Sequence, residues 1–151
     1  MSSHTFQTVV KIPNETLWIF LHSKENWHQV IPGYISHEFI SDKVSTWKVK
    51  SNFGLIKKKI HFKAQIIDWK EFEKITFRIT GISDKFNGHG RIETIKLSNH
   101  KTSIAVAFQL TAEGSIAKLI KPFLKSSIPE MSEESKYEFE QLIKKVATNH
   151  S

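Results

Sequence analysis

The sequence predicts an α+β fold: a curved antiparallel sheet of about six or seven strands wrapped around a long C-terminal helix, with two short helices after the first strand. Three observations predict it. Apolar residues alternate with a period of two through the middle of the chain, the period turns helical after Gly114, and Ile31-Pro32-Gly33 separates the opening helices from the strands.

Each element follows in order. His4 to Ile12 alternates, with Phe6, Val10 and Ile12 on one side, and reads as a first strand that Pro13 ends. Asn14 is placed to cap a helix through His22, whose Leu17, Trp18 and Leu21 are spaced to pack inward; a second short helix covers Lys24 to Val30. Proline disfavours helix at Ile31, and from Tyr34 the chain is extended, with Ile35, His37 and Phe39 opposite Ser36 and Glu38. Ser41-Asp42-Lys43 turns it, and Trp47, Val49 and Phe53 follow, opposite Lys48 and Lys50. The clearest strand comes after Gly54, where Ile56, Ile60, Phe62, Ala64 and Ile66 share a face and Lys57, Lys59, His61, Lys63 and Gln65 share the other. Ile75, Phe77 and Ile79 repeat the pattern, as do Ile104, Val106, Phe108 and Leu110; Arg91 to Leu97 is a weaker strand of undetermined facing.

After Gly114 one apolar stripe holds Ile116, Leu119, Ile120 and Phe123, and a second holds Met131, Ser135, Phe139, Leu142 and Val146. Pro122 and Pro129 each remove a backbone donor, which predicts a kink near Pro122 and a break over Ser126 to Pro129. That break reads either as a surface kink or as the hinge of a gate. Because a sheet with one apolar face needs a cover, the C-terminal helix is the element long enough to supply it.

A chain of 151 residues has the size of one domain, and 39% hydrophobic with 25% charged residues is ordinary for a folded protein. The expectation is one domain over 1–151. With no cysteine there is no disulfide and no thiolate metal site, which points to a reducing, cytoplasmic compartment. Neither a leader nor a stretch of about 18 apolar residues is expected to place the chain outside the cell or across a membrane. Lysine and arginine outnumber aspartate and glutamate 22 to 15, so the charge of +7 suits nucleic acid, anionic lipid or an acidic protein surface. On the strands, however, lysines and aromatics fall on opposite faces, which argues against nucleic acid.

Motifs for chemistry are sparse. The eight histidines lack the helical spacing of a zinc-protease motif and read as surface residues, and no metal or cofactor is expected. Gly88-His89-Gly90 has the look of a phosphate loop but falls between two strands and opens no helix. No serine elbow is present, and without cysteine there is no thiol nucleophile. Acid–base chemistry would have to draw on Lys58, Arg91, Glu93, His37 or Tyr34.

Pro13 through Trp18 with Leu21, then Ile31-Pro32-Gly33, Gly54, Gly81, Gly88 with Gly90, Thr102, and Gly114 followed by Ala117 form an ordered set spanning nearly the whole chain. This set resembles the START-like or helix-grip (SRPBCC) superfamily, which includes lipid-transfer domains, plant pollen allergens and polyketide cyclases, and within it the CoxG-like proteins of the carbon monoxide dehydrogenase system. The resemblance implies a cavity between the concave sheet face and the C-terminal helix, holding a hydrophobic or amphiphilic small molecule such as a lipid, a quinone or a polyketide-like compound.

Alternation independently sends Trp47, Phe53, Phe62, Phe77 and Phe108 inward. With Phe39 on β-strand parity and Leu119, Phe123, Met131 and Phe139 on the helical stripes, they are the expected lining. Lys58 interrupts an apolar face, either as an edge residue with its stem along the sheet or as a cation at the cavity mouth. Arg91 and Glu93 share parity with Ile95 and Leu97 and are candidates for a polar cavity wall or rim, unless a bulge after Gly90 reverses them. Binding, with or without transport and without chemical change, is the leading expectation. A cyclase or dehydratase using the same cavity, and an accessory protein that binds another protein, are the alternatives. The exposed lysines suggest weak peripheral contact with anionic membrane.

Overall fold

The computed structural model describes residues 2–31, 33–53, 56–114, 117–118 and 133–149. Seven strands appear, β1 ending before Ile12 and β6 starting before Arg91 relative to the expected bounds: β1 (Ser2–Val10), β2 (Tyr34–Phe39), β3 (Val44–Phe53), β4 (Ile56–Lys70), β5 (Lys74–Gly81), β6 (Phe86–Ser98) and β7 (Lys101–Ala112). Hairpins join β2 through β7 in sequence and β1 pairs with β7, so one antiparallel sheet runs in the order β1-β7-β6-β5-β4-β3-β2. Helix α1 (Asn14–His22) and a 3-10 helix (Lys24–Val30) connect β1 to β2, and α2 (Glu133–Asn149) closes the described chain.

Register fixes which side chains share a face, because directly paired residues of an antiparallel ladder point the same way. Phe62 pairs with Trp47 and Trp47 with His37; Phe77 pairs with Gly90 and Gly90 with Phe108. These rows form the concave face. Val10, Ile12, Trp18, Ile75, Ile104 and Ile143 make one buried cluster on it, where α1 and α2 pack. Val49, Ile60, Ile79, Phe86 and Leu110 make a second, and Phe77 touches both. Burying each such side chain contributes about 1.5–3 kcal/mol.

Several expectations are revised. Asn14 does not cap α1. Pro13 occupies that position, its carbonyl accepting from the Leu17 amide at 3.1 Å, while the Asn14 side-chain amide donates to the Phe72 carbonyl at 2.9 Å. Gly88-His89-Gly90 lies inside β6, not between strands, and β6 begins at Phe86. The face of α2 that packs inward carries Glu140, Ile143, Val146 and Ala147, with Phe139 and Leu142 half-buried, whereas Ser135 is exposed. The buried Glu140 carboxylate accepts from the Lys11 backbone amide, tying α2 to the end of β1. The stripe of Ile116 and Ile120, the kink at Pro122 and the break over Ser126 to Pro129 lie outside the described residues.

Three register shifts mark bulges in the sheet, between Lys96 and Ser98 near the end of β6, between Tyr34 and Ser36, and between Ile66 and Asp68, and the last two bear on the concave face. Each of those two shifts parity by one residue, so Ile35 and Ile67 are exposed, while Trp69 rejoins the concave face opposite Ile75.

Candidate functional site

An aromatic and polar cluster occupies the β2 end of the concave face. Alternation alone would put Tyr34 and His37 on opposite sides. The bulge pairs Tyr34 with Val49 and His37 with Trp47, so both turn inward and the Tyr34 hydroxyl meets His37 Nδ1 at 2.5 Å. The His37 ring lies nearly parallel to Trp47, centroids 4.9 Å apart, and to His28 of the 3-10 helix at 5.8 Å; Phe39 meets it edge-on at 4.9 Å. Trp47 is buried and its indole N–H donates to Ser45 Oγ at 2.8 Å, which fixes the plane against which the others stack. His28, Tyr34 and His37 are each half-buried. A cleft of about 400 Å³ bordered by Lys24, Glu25, Phe39, Ser41 and Asp42 opens beside Phe39.

Further along the same face, Phe77 and Phe108 lie with centroids 6.3 Å apart on either side of Gly90. A methyl group on Gly90 would stand 2.8 Å from a ring carbon of each. The glycine therefore makes the space the two rings fill.

Of the expected lining, Trp47, Phe62, Phe77 and Phe108 stand on the concave face, Trp47 buried and the three phenylalanines half-buried. Phe39 stands at its edge, 41% exposed. Phe139 packs from α2 against the cluster around Trp18. The Phe53 side chain, Leu119, Phe123 and Met131 lie outside the described ones. Lys58 has the parity of Ile60 and Phe62, and its ammonium meets Asp84 of the β5–β6 turn at 3.2 Å, at the sheet end.

Arg91 and Glu93 are corrected. They pair with Thr76 and Ala107 and with Lys74 and Ala105, on the convex face, and bind each other at 2.6 Å; Ile95 is exposed on that side as well, and Leu97 is exposed at the register shift between Lys96 and Ser98. The pairing of β6 with β7 runs unbroken from Phe86 through Lys96, so no bulge after Gly90 turns these side chains inward. His28 was not foreseen, since nothing in its spacing distinguishes it from the surface histidines; packing under β2 does.

Among the described residues two carboxyls have shifted ionisation, both outside this cluster. Glu15 is held below the ordinary carboxylate value by its backbone hydrogen bond and then by Lys96. For Glu71 burial is the largest influence and raises the carboxyl, but the Trp69 indole and His22 outweigh it, so the net direction is down.

The fold is shared with known proteins. Solved structures cover nearly the whole chain: a conserved protein from Geobacillus kaustophilus (16% identity, TM-score 0.75, 99% of this chain and 98% of that one), a START superfamily protein from Mycobacterium smegmatis (12%, 0.66, 99% of each) and an aromatase/cyclase from Streptomyces (11%, 0.60, 98% and 94%). At such identities the likeness is one of fold, and the fold is START-like. The sequence profile of the carbon monoxide dehydrogenase CoxG family matches residues 7–144, and the chain belongs to that family. Among curated proteins, none matches the sequence.

Proposed function

We propose that this protein binds a hydrophobic or amphiphilic small molecule against the concave face of its sheet, without altering it chemically. One observation carries the reading. Phe62, Phe77 and Phe108 face inward by register yet remain half-buried, while Ile60, Ile75, Ile79 and Leu110 around them are buried. Inward aromatic surface that the protein's own side chains leave partly uncovered is what an apolar ligand would cover. Membership of the CoxG family and a START-like fold, typical of hydrophobic-ligand binding, support the same reading.

Native mass spectrometry of the purified protein is expected to release a hydrophobic species on collisional activation, and solvent extraction to recover it. Protein that carries nothing and does not take up an apolar fluorophore would overturn the proposal. A second reading, a cyclase- or dehydratase-type enzyme, is favoured by one feature, the hydrogen-bonded Tyr34–His37 pair on the same face. Recovery of a ligand with unchanged mass and structure after incubation separates binding from turnover.

Weak contact with an anionic membrane belongs to the same proposal. Lys48, Lys50, Lys59, Lys63 and Arg78 are exposed on the convex face. No helix among the described residues is long and apolar enough to cross a membrane, so contact of this kind would be peripheral.

A further inference from the structure

We propose that His28, Tyr34 and His37 form a recognition site for a hydroxyl group on a planar aromatic ring, making phenol-type amphiphiles the ligand class. The inference rests on the reading that the concave face binds an apolar molecule, and adds to it which end of the ligand is recognised and how.

Shape comes first. Trp47, His37 and His28 present nearly parallel planes, with interplanar angles of 24° and 17°, and Trp47 is locked by its bond to Ser45. Flat surfaces held in one orientation favour a flat partner over a branched or flexible one. Phe39, exposed, borders both this cluster and the open cleft beside Lys24 and Ser41.

Polarity decides the substituent. His28 Nδ1 is fully buried and has no hydrogen-bond partner among the described residues. An imidazole nitrogen is a donor in one tautomer and an acceptor in the other, and a buried one without a partner is costly in either. The Tyr34 oxygen, bonded to His37 Nδ1, still has acceptor capacity. A hydroxyl both donates and accepts, so it satisfies His28 in either tautomer; where it accepts from His28, its own proton is left to donate to Tyr34. A carbonyl or an ether accepts only. The nearby carboxylates are exposed: Glu25 and Asp42 border the open cleft, and Glu38 has its register on the convex face.

The test uses equilibrium dialysis with two probes of equal shape, 2-naphthol and 2-methoxynaphthalene. The protein should prefer 2-naphthol by about tenfold, the effect of one good hydrogen bond. In His28→Phe and Tyr34→Phe, which keep the rings, the preference should fall below about threefold while 2-methoxynaphthalene binds as before. Equal binding of the two probes by the unaltered protein, or an undiminished preference in both variants, overturns the hydroxyl site and leaves the concave-face reading standing. Binding of neither probe overturns both. Because exchanging a half-buried histidine can disturb folding, imidazole nitrogen NMR of the unaltered protein gives a second readout. 2-Naphthol must shift the His28 Nδ1 resonance and 2-methoxynaphthalene must not; equal shifts, or none, overturn the site.

Discussion

Phe72 has φ of 66°, a left-handed conformation that a bulky residue rarely adopts. It persists because its carbonyl is held twice, by the Asn14 side-chain amide at 2.9 Å and the Thr94 hydroxyl at 3.1 Å. Thr94 also accepts from the buried Trp18 indole at 2.9 Å, so one hydroxyl joins α1, β6 and the β4–β5 turn. Thr94→Val preserves shape but leaves the indole N–H unpaired, and is expected to cost about 1–3 kcal/mol in urea denaturation. Glu71 in the same turn predicts a pH effect. A carboxyl lowered in the folded state favours folding above the ordinary carboxylate value, and this is lost as pH falls through Glu71's own lower one. Because the pair with His22 is exposed and screened, Glu71→Gln should cost under about 1 kcal/mol at neutral pH and nothing in strong acid, measured by denaturation at both.

Strands and helices were largely legible in the sequence because period-two alternation survives wherever one sheet face is buried. Bulges were not, since an extra residue leaves no mark on composition and shows only as a change of partner across the ladder. The bulge in β2 matters most: it brings Tyr34 to His37, and turns Ile35 out against the expectation from alternation. Gly90 makes a comparable contribution within β6. Gly90→Ala would push a methyl into the Phe77 and Phe108 rings, with an expected loss of about 1–3 kcal/mol in thermal unfolding. If those rings line the ligand site, apolar-probe binding should weaken in the folded variant; unchanged binding would place the ligand elsewhere on the face.

Across the whole molecule the two sheet faces divide the work. Aromatics of β3 and β4, Trp47 and Phe62, face inward, while Lys48, Lys50, Lys59 and Lys63 of the same strands face out. Lys50 and Lys59 stand directly opposite each other, an arrangement of like charges that costs stability. Lys50→Glu should therefore stabilise the fold by about 0.2–1 kcal/mol. If the convex face is the membrane contact, the same change should weaken salt-sensitive co-sedimentation with anionic vesicles. Vesicle binding indifferent to both salt and Lys50 would remove that contact, and binding to RNA but not vesicles would replace it.

The sequence by itself determined the α+β class, the strand order along the chain and the inward facing of Trp47, Phe62, Phe77 and Phe108, because each follows from local periodicity. It left open the facing of Arg91, Glu93 and Lys58. Only the tertiary structure decided those, along with the meeting of His28, Tyr34 and His37, because register across the ladder and a bulge are set by pairing with distant strands. The curved sheet predicted at the outset is the one observed, and which polar groups it gathers on its concave face depended on contacts between residues that no sequence period connects.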